Sequence, residues 1–125
     1  SDVRIMSRGS AFETGYEAAL DMLQKQPRPT AIFALADSIA VGTLHAAAHL
    51  GIRVPEELSV IGFDNISLAS FVIPPLTTVA QPIYAIGESA VRILLRQLQQ
   101  PDAEPETVTL NTELIVRDST APCPA

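Results

Sequence analysis

The chain has 125 residues, enough for one domain with its own core or for a piece of a larger one. Hydrophobic residues make up 47% and charged residues 18%, which excludes a disordered, charge-expanded polymer. A formal charge of −6 with only eight Lys and Arg, scattered along the chain, excludes a nucleic-acid-holding surface, because such a surface needs clustered cations to displace condensed counterions.

In chain order, Val3 to Met6 is expected as a short strand running into a turn at Gly9. Ser10 and Glu13 have the spacing of a capping box, so a helix should start there. Phe12, Tyr16, Ala19, Leu20 and Leu23 give that helix one apolar face, and Pro27 and Pro29 stop it. The unbroken apolar run Ala31 to Ala36 reads as a strand covered on both faces. Asp37 follows it directly, placed to cap the next helix. Ala40, Val41, Leu44, Ala47 and Ala48 should carry that helix's buried face, with Gly51 as terminator. Pro55-Glu56-Glu57 is a turn, and Leu58 to Phe63 a further buried strand.

Strand and helix alternating in this way imply right-handed crossovers and a parallel sheet, so the fold class is α/β. After Asp64 the pattern changes. Leu68 to Ile73 is short and apolar, and Pro74-Pro75 forces extended backbone into a strand over Leu76 to Ala80. Pro82 opens a long helix with Ile83, Ile86, Ala90, Val91, Leu94, Leu95 and Leu98 on one side. Pro101 to Pro105 is a polar turn. Thr107 to Leu110 and Glu113 to Val116 are expected as closing strands, and the Pro-rich end as frayed.

Few residues could carry chemistry. Asp64 lies at the carboxyl end of a buried parallel strand, where open α/β sheets bind ligands. A carboxylate there can accept two hydrogen bonds from vicinal hydroxyls or ring N–H groups; the plainer alternative is a turn-forming Asp that caps local backbone. Asp37 reads as a structural N-cap. The helical spacing of Phe12 with Tyr16 favours burial. His45 and His49 are four apart on one helix, yet no Glu follows His45 and no third ligand is apparent, so no metal site is expected. No Gly-rich phosphate loop and no Gly-x-Ser-x-Gly elbow is present. Cys123 is the single cysteine and has no partner for nucleophilic work, while the only lysine, Lys25, lies in the first helix. Neither catalytic residues nor a cofactor are expected. The lone cysteine fits a reducing cytoplasm, and no apolar run approaches membrane-spanning length.

Several segments, in order, resemble the lactose-repressor (LacI/GalR) family of transcription regulators. They are Gly15-Tyr16-Glu17-Ala18, Arg28 to Phe33, Ala36 to Gly42, Gly51 to Asn65, Pro74 to Val79, Gln81-Pro82 and Glu113 to Thr120. The set covers nearly the whole chain, and the run through Gly62-Phe63-Asp64 to Thr78 is the most specific part.

The resemblance implies a periplasmic-binding-protein-like fold of type I, made of two α/β lobes, of which this chain supplies an incomplete part. On that map residues 1–80 belong to the C-terminal lobe, residues 81–111 return to the N-terminal lobe as a helix and strand, and residues 112–125 cross back. A helix-turn-helix head, a hinge helix and most of the N-terminal lobe are expected upstream of Ser1, so operator DNA would be met only through that head. A sugar-like effector would be contacted by Asp64. Gln81 matches a lobe-crossover position that reaches ligand in some relatives. Ser10 stands where several relatives carry a stacking aromatic, with Phe12 close enough to substitute, and Ala36 stands where some carry a hydrogen-bonding Asn. Homodimerisation would use Val41, Leu44, His45 and His49 with Ile66, Leu68, Phe71, Val72 and Ile73. With half the cleft elsewhere, this piece is expected to bind effector weakly or not at all by itself, and to self-associate or swap elements. A lobe of a sugar-binding transport protein, or a small α/β enzyme, are the alternatives from other classes.

Overall fold

A computed structural model describes residues 10–123; the strand expected over Val3 to Met6 lies outside the described residues. The elements in order are α1 (Ala11–Leu23), β1 (Ala31–Phe33), α2 (Asp37–His49), β2 (Ser59–Asp64), a 3-10 turn (Ser67–Ser70), β3 (Thr77–Ala80), α3 (Ile83–Gln99) and β4 (Glu113–Ile115). The sheet order is β1-β2-β3-β4, with β1 parallel to β2 and β2 parallel to β3. Ile32 sits opposite Val60, and Gly62 opposite Thr78. The chain divides into two compact units, one running to Ala80 and resuming at Leu114, the other spanning Gln81–Glu113.

In the first unit, α1 starts where the sequence places it. The Ser10 hydroxyl accepts from Glu13 N at 3.3 Å, and Ser10 N donates to the Glu13 carboxylate at 2.8 Å. Both bonds satisfy amides that the first helical turn leaves without partners. At the far end of α2, Gly51 takes φ +68, the left-handed turn that glycine enters without steric cost.

The two helices pack unusually close. A Cβ on Gly42 would lie 2.7 Å from Tyr16 N and 3.1 Å from the Gly15 carbonyl carbon, and one on Gly15 would lie 2.8 Å from Ile39 Cα. Backbone therefore meets backbone, and an alanine-rich interior of Ala19, Ala40, Ala46 and Ala47 fills in around Leu44, Leu58, Val60 and Leu76. Because α2 lies between α1 and the sheet, it buries a wider arc than one apolar stripe. Gly42, Thr43 and Ala46 are buried, while Ala48, expected inside, is exposed.

Three other expectations are corrected. The run Ala31 to Ala36 forms a strand only over Ala31–Phe33, and it is not covered on both faces: Ile32 and Ala34 turn toward the core while Phe33 and Leu35 are exposed. The apolar composition was compatible with two covered faces, but the helices supply one. Thr107 to Leu110 forms no strand, since a strand exists only where a neighbour takes its backbone hydrogen bonds. The C-terminal segment is pinned rather than frayed as far as Ala121, whose N–H donates to Ser59 Oγ at 3.1 Å and whose carbonyl accepts from the same hydroxyl at 3.2 Å.

The second unit is built on α3, whose apolar side chains Ile83, Val91, Leu94, Leu95 and Leu98 are all exposed among the described residues. Arg92 and Arg96 each donate to Glu106, at 2.9 and 2.8 Å, and hold residues after Gln100 back along the helix. The hydrogen bond from Arg92 is the first cause holding the Glu106 carboxyl below its ordinary pKa range.

The glycine contact gives a test whose sign decides. Helix propensity alone would make Gly42→Ala stabilising by about 1 kcal/mol. The close approach predicts the opposite, a loss of about 1–3 kcal/mol in urea unfolding from forced overpacking.

Candidate functional site

The carboxyl ends of β1, β2 and β3 meet the start of α2, and two aspartates stand there in different settings. Asp37 is fully buried. It is not the N-cap of α2: Ala36 occupies that position with no side-chain cap bond, and Asp37 is the first helical residue. Its carboxylate instead accepts from Thr78 Oγ1 at 2.5 Å and from Ile66 N at 2.8 Å. A buried carboxylate is costly unless hydrogen-bonded, and the start of a helix adds a favourable dipole. Both carboxylate oxygens are therefore spent on the frame.

Gly62 makes room for this carboxylate. A Cβ there would collide with Asp37 Oδ1 and lie 2.9 Å from Leu76 Cδ2. A glycine in mid-strand, where a β-branched residue packs better, marks such an approach.

Asp64 closes β2 opposite Ala80, half-buried, with φ 110; Asn65 follows with φ 54. A non-glycine at φ 110 is backbone strain that persists only where its surroundings enforce it, and such strain gathers at ligand sites. The enforcement is visible on both sides of the turn. On one side, Asn65 N donates to Thr78 Oγ1 at 3.4 Å and Ile66 N to Asp37. On the other, Arg117 reaches Asn65 Oδ1 at 2.8 Å and the Leu76 carbonyl at 2.7 Å.

The remaining sequence candidates are placed as follows. Ala36, half-buried, lies next to Asp37 at the same end of the sheet. The Ser10 hydroxyl is occupied by its capping box, and Phe12 is exposed on the first turn of α1 rather than buried as its spacing suggested. Gln81 opens the second unit.

Of the residues expected at a dimer contact, Phe71 and Ile73 are 79% and 93% exposed, and Ile66 and Leu68 are partly exposed beside them. Val41 is half-buried, and Val72 packs against the core. Leu44 is corrected: at 7% exposure it belongs to the core cluster, because α2 turns it toward the sheet. His45 and His49 are exposed and both meet Tyr16 of α1. The Tyr16 ring is 4.9 Å from that of His45 and 6.0 Å from that of His49, and Tyr16 Oη is hydrogen-bonded to His49 Nδ1.

A family model described as a periplasmic binding protein-like domain matches residues 1–120. The chain belongs to this family. It is 44% identical over 124 residues to the HTH-type transcriptional repressor CytR of Escherichia coli K12, covering 98% of this chain and 36% of that protein. Among solved structures, it is similar to a LacI family transcriptional regulator from Enterococcus faecalis V583 with bound ribose, at 40% identity and TM-score 0.80, covering 89% of this chain and 41% of that one. It is also similar to the lac repressor dimer bound to operator and the anti-inducer ONPF, at 34% identity and TM-score 0.78, covering 86% of this chain and 37% of that one. The chain thus spans about a third of the length of the repressor it matches, within the effector-binding portion of LacI-type regulators.

Sequence reasoning missed Thr78 and Arg117 and misread Asp37. For Thr78 and Asp37 the signals were present: a Thr-Thr pair in a buried parallel strand of this periplasmic-binding-protein-like domain, and a glycine inside the strand beside it. If the Asp37 carboxylate frames the turn, Asp37→Ala strands two donors and lowers stability by roughly 3–6 kcal/mol, at about 1.5–3 kcal/mol per bond to a charged acceptor. Asp37→Asn, with one carbonyl oxygen for two donors, recovers only part. A helix cap alone would cost about 1 kcal/mol. Urea midpoints of the three proteins decide between them.

Proposed function

We propose that the chain is the effector-sensing and dimerisation part of a ligand-responsive transcriptional regulator, and that Asp64 takes the effector, a sugar or sugar-bearing metabolite. The observation that carries the reading is the strained, doubly braced turn that presents Asp64 at the carboxyl end of β2. A carboxylate there accepts two O–H donors from adjacent hydroxyls of a sugar, each charge-assisted bond contributing about 1.5–3 kcal/mol. The E. faecalis relative with bound ribose supports a pentose as the first ligand to try.

In the intact regulator, effector occupancy favours one of two sensor states, and about 1–3 kcal/mol of coupling changes operator affinity 5- to 150-fold. The net charge of −6 supports a DNA contact made elsewhere in the protein than in these residues. Pairing of two copies through the exposed apolar cluster of Ile66, Leu68, Phe71 and Ile73 is consistent with the dimeric lac repressor relative. A regulator of this kind works in the cytoplasm. Among the described residues no helix is long and apolar enough to cross a membrane.

The test is calorimetric titration of the intact protein with D-ribose, beside its Asp64→Asn variant. Binding by the wild type and at least a 10-fold weaker affinity in the variant is the expected result. Equal affinities would remove Asp64 from the site, and no heat from the wild type would remove the pentose.

A further inference from the structure

Arg117 takes no part in the proposed ligand contact, yet it is fastened at three points. Its backbone N–H donates to Thr77 Oγ1 at 2.9 Å, Nη1 donates to the Leu76 carbonyl at 2.7 Å, and Nη2 donates to Asn65 Oδ1 at 2.8 Å. The first two bonds anchor the residue to the start of β3. The third reaches across to the turn that carries Asp64.

Fixing that turn requires a brace on its outer side. Asp37 and Thr78 hold the backbone amides of Ile66 and Asn65 from within, but the Asn65 side chain is exposed and has nothing from that side. Asn65 lies at φ 54, directly after Asp64 at φ 110. Releasing its side chain lets the pair relax toward ordinary backbone, and relaxation swings the Asp64 carboxylate away. A displacement of about 1 Å is enough to cost a large factor at a preorganised site.

We infer that Arg117 is a positioning residue for the effector site, holding Asp64 in place through Asn65. The inference rests on the reading that Asp64 takes the effector. The guanidinium is suited to the task because its planar fork delivers two donors to two separate acceptors at once, the Leu76 carbonyl and the Asn65 amide oxygen. A lysine is a single point charge on a flexible stem and cannot hold that fork geometry. Arg117 also follows β4, the strand by which the chain re-enters the first unit from Gln81–Glu113. The brace is thus set by the segment that returns from the second unit, so the position of that segment and the presentation of Asp64 are linked by one side chain.

The experiment uses the intact protein and two readouts. Hydrogen exchange at the Asn65 and Ile66 amides needs no ligand, and D-ribose titration reads the consequence. Arg117→Gln and Arg117→Lys are both expected to speed exchange at those two amides at least 10-fold, with Val60 and Ile61 unchanged, and to weaken D-ribose binding at least 10-fold. Asn65→Ala cuts the same bond from the other side and should behave alike, which keeps the test open if an Arg117 variant fails to fold. Asn65→Asp retains an acceptor for Arg117 and should stay within about threefold of wild type in both readouts.

Unchanged exchange at Asn65 and Ile66 in Arg117→Gln or Asn65→Ala would overturn the brace. So would full rescue by Arg117→Lys, which would reduce the role to charge. If exchange rises as expected while the wild type binds no D-ribose, the brace stands and the pentose reading falls.

Discussion

The structure depends most on one buried carboxylate. Asp37 sits at the first turn of α2 with no solvent contact, and it exists there as an acceptor because Thr78 and the Ile66 amide supply donors. Desolvating a carboxylate costs several kcal/mol unless its lone pairs are used. Here their use joins three elements that are far apart in sequence: the start of α2, the turn after β2, and the middle of β3. Gly62 leaves the space, and a side chain at that point of β2 would drive the carboxylate out.

The C-terminal segment completes the frame from the opposite end of the strands. Ser119 is fully buried, and its hydroxyl donates to the Val60 carbonyl at 2.6 Å while accepting from Thr77 N at 2.8 Å. Its own carbonyl accepts from Val60 N at 2.8 Å. One serine therefore bridges β2 and β3 just before the residues at which they pair directly, Ile61 with Thr77. Buried polar groups that are all satisfied in this way fix a single register, and every such side-chain atom among the described residues has a partner. The result is a fixed register of β2 against β3, the two strands that lead to the Asp64 turn and to its partner Thr78.

Much of this was legible in the sequence. The Ser10–Glu13 box, the Gly51 terminator and the alternation of strand and helix all rest on local chemistry, and local chemistry survives folding. The Asp64 position was legible too, because the carboxyl end of a parallel strand follows from topology. What failed shares one cause. Asp37 as a cap, Ala48 as core, Phe33 as covered and Leu44 as a surface for a partner each depend on which neighbour arrives from elsewhere in the chain. An Asp before a helix is an N-cap unless a threonine 41 residues later lies within reach of it. The apolar side of α3 was read correctly as a stripe, but a stripe does not say what covers it. Arg117 gave no local signal, since its partners at residues 65, 76 and 77 are brought to it only by the return of the last strand.

Two aspartates at one end of the sheet thus differ in role: Asp37 is consumed by the fold, and Asp64, held in a strained conformation, is the one we propose for the ligand. That division of roles is the central claim, and a crystal structure of the intact protein grown with D-ribose tests it most directly. The account predicts the Asp64 carboxylate at about 3 Å from two adjacent sugar hydroxyls, with the Asp37 bonds to Thr78 and Ile66 intact. A sugar bound away from Asp64, or one held by Asp37 after its bonds to Thr78 and Ile66 had broken, would contradict it.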